Sequence, residues 1–183
     1  MQRSGIHSAM FVAGDTGDWK IDRITAVIGE PLPLALKLAV HPQDLTPPGG
    51  VWALRGRTSN ARYVERPEKG PLDAASPTLG RPEATRAALI PIKKSDRWWA
   101  LPQDERRAIF EGRSRHIADS MQYLPRIARR LYHSRDLAEP FDFLTWFEFA
   151  PEHEGAFDDL LAMLRSREEW TFVDREVDIR LSR

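Results

Sequence analysis

The chain has 183 residues, 42% of them hydrophobic and 30% charged, which suits one compact domain or two small fused units with a buried core. Lys plus Arg and Asp plus Glu stand at 27 each, so no global charge footprint points to nucleic acid, and the cluster Arg126, Arg129, Arg130 and Arg135 reads as a solvated face or a small-anion site. The absence of cysteine excludes disulfides, thiolate metal sites and a Cys nucleophile, leaving His, Asp and Glu as metal ligands.

In chain order, Met1 to Val12 lacks the continuous apolar core of a secretory signal, so a cytoplasmic location is expected. Strands are expected at Ala9 to Ala13, Trp19 to Ile28 and Gly50 to Arg57. Leu32 to Val40 is the longest apolar run; broken by Pro33 and Lys37, it reads as a possible helix and falls well short of the roughly 20 apolar residues of a membrane span, so no membrane association is expected. Arg66 to Arg86, with four prolines and two glycines, reads as an irregular bridging loop.

The C-terminal half is more strongly periodic. Ala87 to Lys93 reads as a strand despite Pro91. A long amphipathic helix follows, opening near Pro102 with acidic residues in its first turn and running to about Tyr123. Arg126 to His133 and the aromatic Phe141 to Phe149 read as a hairpin, Pro151 opens a helix with a Phe157, Leu160, Leu161 and Leu164 stripe, and Trp170 to Leu181 alternates as a final strand. The fold class is therefore α+β: a ferredoxin-like βαββαβ unit over residues 87–183, packed on a shortened ferredoxin-like unit with its bridging loop over residues 1–86. Phe143, Thr145 and Phe147 share one side of their strand and Leu144, Trp146 and Glu148 the other, so both faces need a cover.

His116 is the first candidate ligand, because Gly112 and Ser120, four residues away on either side, would leave room for a flat macrocycle. The competing reading is a surface histidine beside Arg113 and Arg115; His7, His41, His133 and His153 rank lower. Glu168 and Glu169 could supply the carboxylate that orients a ligating histidine, or form an exposed acidic pair. Arg129 and Arg130 point to opposite sides of one strand, so one faces a covering layer and needs an anion there. Zinc-protease, phosphate-loop and nucleophile-elbow motifs are missing.

Together, PIKKSDRWWALPQDERR, His116, ARRLYHSRDLAEPFDFLTWFEFA and LLAMLRSREEW resemble the chlorite dismutase family across the C-terminal half. The resemblance implies heme b, with His116 as proximal iron ligand, Glu169 as its hydrogen-bonded carboxylate (Glu168 being the one-residue-shift alternative) and Arg129 as the distal catalytic arginine. It also implies Trp98 beside the heme, Trp99 toward an interface, Thr145 and Phe147 lining the distal side, and Lys93, with Lys94 in competition, near a propionate. Related coproheme decarboxylases carry glutamine at Arg129 and tyrosine at Trp99, which argues against that activity. The short N-terminal unit resembles the dimeric branch, implying a homodimer that converts chlorite to chloride and dioxygen and binds other small anions. The alternatives are a peroxidase-like or heme-handling protein of the same superfamily, and a non-catalytic barrel that binds a small ligand.

Overall fold

The structure is a computed structural model and describes residues 7–42, 49–58 and 63–183. Eight strands among these residues close into one antiparallel barrel: β1 (Ser8–Gly14), β2 (Trp19–Ile28), β3 (Lys37–His41), β4 (Trp52–Arg57), β5 (Arg86–Lys94), β6 (Ile127–His133), β7 (Phe143–Phe149) and β8 (Val173–Ser182). The C-terminal strands lie in the order β8-β5-β7-β6, as a ferredoxin-like unit requires. The N-terminal strands continue the sheet, with β2 on β8 and β4 on β6. The expected hairpin is present, Ile127 facing Phe149 and His133 facing Phe143.

Strand alternation divides the apolar residues between two cores. Phe11, Trp19, Leu38, Leu54, Leu89, Leu144, Trp146 and Ile179 fill the barrel interior, so residues 1–86 and 87–183 share one core. Ile90, Ile92, Ile127, Phe147 and Phe149 point outward and meet helix α5 (Glu154–Arg165) through Phe157, Leu160, Leu161 and Leu164. The cover that both faces of β7 require is thus the barrel wall on one side and α5 on the other. A charged ladder pins this helix to β8: Arg165 reaches Glu176 at 2.7 Å and Asp178 at 3.1 Å, and Arg180 reaches Asp158 at 2.8 Å.

Three expectations are corrected. Leu32 to Val40 holds no helix; Lys37–His41 is strand β3, paired with β1 from Leu38 opposite Ala13 to His41 opposite Met10. Leu38 is buried while Leu34 and Leu36 are exposed, so the run never formed one helical stripe. Within the bridging segment, Arg66–Ala75 is helix α1, where Pro67 occupies the first turn without losing a bond and Glu68 accepts from the Glu65 backbone N–H at 2.8 Å. The long helix is broken into α2 (Asp96–Trp99), α3 (Gln103–Arg107), a π-turn at Ala108–Arg113, and α4 (His116–Ser120). Arg115 adopts a left-handed conformation at φ 50°, which ends one helix and starts the next. No helix among the described residues is long and apolar enough to cross a membrane.

Candidate functional site

A cavity of about 280 Å³ lies between the outer face of β5, β6 and β7 and the helices above it. Its sheet wall carries Ile90, Ile92, Arg129, Leu131, Thr145 and Phe147; its helical wall carries Phe110, His116, Ser120, Leu160, Leu161 and Leu164; Tyr63 and Leu72 close one side. Most of this surface is apolar, and the charged groups are few.

His116 is the first residue of α4, and the left-handed turn before it presents its ring to the cavity. The Glu111 carboxylate caps this start, accepting from the backbone N–H of Ile117 at 2.6 Å and of Ala118 at 3.1 Å. Phe110 stacks on the imidazole with centroids 4.3 Å apart. His116 Nδ1 lies 2.7 Å from Glu169 Oε2. The same carboxylate receives Lys94 Nζ on Oε1 at 2.8 Å, and the Glu169 backbone N–H donates to Ser114 Oγ at 3.0 Å. Burial alone would raise the Glu169 carboxyl, but the positive field of His116 and Lys94 and their hydrogen bonds hold it down at about 2. Glu169 is therefore a buried anion that accepts the Nδ1 proton and fixes the ring, so that in the neutral imidazole Nε2 carries the free lone pair that can bind a metal. Glu168 turns outward to Arg113 at 2.7 Å, which decides between the two neighbours.

Arg129, Leu131 and His133 face the cavity together because alternate residues of β6 share a side. Arg130 takes the other side, the one it shares with Tyr132. Arg129 has no carboxylate partner among the described residues, and burial lowers its guanidinium below the usual range. An unpaired guanidinium in an apolar cavity is costly unless an anion joins it.

Three expected placements change, those of Lys93, Trp98 and Gly112, and the contacts of Trp99 lie within its own chain. Lys93 is exposed and off the cavity; Ile90, Ile92 and Lys94 share the outer, cavity-facing side of β5, so Lys94 is the buried lysine, and it is committed to Glu169. Trp98 stands one layer back, because α2 turns it against Phe172 and Tyr63, with Lys94 Nζ 4.6 Å from its ring. Trp99 donates to Asp142 Oδ2 at 3.1 Å and stacks on Phe143 of its own chain. Gly112 is exposed because the helix breaks between it and His116, whereas Ser120 lines the cavity with an unpartnered hydroxyl. Among the described residues no three His, Asp or Glu side chains gather as a bare-ion site. Sequence reading missed Glu111, Ser114 and Asp142, each of which acts through a backbone contact that only the helix break or the strand end creates.

Comparison with known proteins gives the family and the fold. The family model for chlorite dismutase matches residues 51–183. A crystal structure of dimeric chlorite dismutase from Nitrobacter winogradskyi is 60% identical, superposes with a TM-score of 0.91 and is matched over 96% of this chain and 99% of that one. A chlorite dismutase from Candidatus Nitrospira defluvii in complex with imidazole is 20% identical with a TM-score of 0.67, over 100% of this chain and 93% of that one, and shows the shared fold. A chlorite dismutase from Ideonella dechloratans is 30% identical over 114 residues, 61% of this chain, which spans only 38% of that curated relative. With more than half of its length matched by the family model, the chain belongs to the chlorite dismutase family.

Proposed function

We propose that the chain is a heme b enzyme that converts chlorite to chloride and dioxygen, with formation of the O–O bond, and that it works as a homodimer. The donor set fits a heme: one histidine offers a single nitrogen to an apolar cavity, its other nitrogen is anchored, and the remaining carboxylate is already engaged. His116 would hold the iron through Nε2, and Phe147, Leu160, Leu161 and Leu164 would pack against the macrocycle. The bound iron would supply the redox chemistry that cleaves the Cl–O bond.

The protein's own part is electrostatic. Ionised Glu169 polarises His116 and keeps its Nδ1 proton in place, while Lys94 holds the carboxylate where it stands. Arg129 supplies a fixed positive charge in a water-poor cavity, where a small anion is held far more strongly than in water. That charge would hold chlorite and then retain its chlorine-containing fragment in the cavity until the two oxygen atoms of that same chlorite join and chloride leaves. The 60% identity to a dimeric chlorite dismutase supports both the activity and the assembly. The observation that carries the reading is the anchored His116 facing the same cavity as unpaired Arg129. In test, Arg129→Gln should keep heme yet lose about 10-fold or more of its oxygen evolution from chlorite. An unchanged rate would remove Arg129 from the chemistry, and peroxidase turnover without oxygen release would favour the peroxidase-like alternative.

A further inference from the structure

With Lys93 exposed and Lys94 committed to Glu169, neither lysine is left for the two carboxylates that a heme carries at one edge. The neighbouring basic side chains are also occupied. Arg107 grips Glu68 with both terminal nitrogens, Arg113 grips Glu168, Arg115 pairs with Asp119, and Arg97 donates to the Thr171 carbonyl. Arg106 is different: it has no carboxylate partner among the described residues, and its Nε is buried without any hydrogen bond.

Its position gives that donor a use. The Arg106 guanidinium stands 5.3 Å from the Trp99 ring and 5.9 Å from the Tyr63 ring. Tyr63 lines the cavity, and Trp99 stacks on Phe143, which lines it too. A second guanidinium, Arg135, stands 4.2 Å from the same indole. The acid near this pair is Asp142, and its oxygens are largely taken: Oδ2 accepts from the Lys94 backbone N–H and from Trp99 Nε1, and Oδ1 lies 3.8 Å from Arg135 Nε. Two cations are thus gathered on one indole that backs the cavity-lining Phe143, with one preoccupied carboxylate nearby, an arrangement that suits an incoming pair of negative charges.

Resting on the heme reading above, we propose that Arg106 and Arg135, organised by Trp99, form the clamp that recognises the two propionate carboxylates of the cofactor. The test is titration of apo protein with hemin and with hemin dimethyl ester, followed by Soret absorbance. The wild-type protein should prefer the diacid by about 10-fold or more, the difference that one or two charge-assisted hydrogen bonds make. Arg106→Gln and Arg135→Gln should each reduce that preference, and the double variant should abolish it while binding the dimethyl ester as the wild type does. Ester binding doubles as the folding control, and Arg135→Gln gives an independent reading from a half-exposed side chain. A preference for the diacid that survives in the double variant would overturn the clamp. Failure of the wild type to bind either porphyrin would overturn the heme reading itself, and the clamp with it.

Discussion

Replacing Lys94 with methionine isolates the group that holds the Glu169 carboxylate. The ammonium and the carboxylate are both about 95% buried as side chains and stand 2.8 Å apart. At an effective dielectric of about 20, that separation corresponds to roughly 6 kcal/mol of attraction. Methionine keeps most of the volume and removes the cost of burying the ammonium, but it leaves the Glu169 carboxylate with His116 as its one side-chain partner among the described residues. Breaking one half of a buried pair is therefore expected to cost about 3 kcal/mol net. In a chain of 183 residues this lowers the unfolding midpoint by roughly 6 to 12 °C. Calorimetry of the apo protein reads the change, with Lys93→Met as control, since an exposed side chain with no ion pair among the described residues should move stability by less than about 0.5 kcal/mol. The double variant Lys94→Met/Glu169→Gln should recover much of the loss, because the orphaned charge goes with it. A Lys94→Met loss below about 1 kcal/mol, or equal losses for the two lysines, would refute the reasoning.

Glu169 also carries a pH signature. Its folded value of about 2 lies below the ordinary 4.5, so its contribution is complete above about 4.5 and fades as pH falls toward 2. The contribution is about 3 kcal/mol, and acid unfolding of Glu169→Gln apo protein should lack this component. Glu111→Ala removes the cap from two amides of α4 and should cost about 1 kcal/mol in urea denaturation, with weaker heme retention because His116 begins that helix. Arg129→Leu should leave the apo protein as stable as the wild type or more so by thermal unfolding, because an unpaired guanidinium leaves the cavity. Glu176→Ala strands Trp170 Nε1 and leaves Arg165 with Asp178, and should cost about 3 kcal/mol by the same measurement.

Where one rule governed a segment, the sequence was enough. The period-2 pattern of β6 and β7 put Arg129, Thr145 and Phe147 on one face, and the cavity lies against that face. The stripe of α5 likewise named the residues that bury it. Closure of the barrel was not legible, since strand pairing between β4 and β6 rests on the single rung from Arg57 to His133 and on close approach at Gly56, where a Cβ would meet that of Tyr132 at 2.5 Å. Nor was the break before His116, because local propensity favours a continuous helix and the turn at Arg115 is flanked by a long-range contact, that of Ser114 Oγ with the Glu169 backbone N–H. The choices between Lys93 and Lys94 and between Glu168 and Glu169 each turned on a one-residue register, which periodicity alone leaves open at the end of an element.

The most direct test of the account is an oxygen-electrode trace of heme-loaded protein given chlorite. One dioxygen should be released per chlorite consumed, at a rate far above free hemin; consumption of chlorite with no oxygen above the hemin control would contradict it.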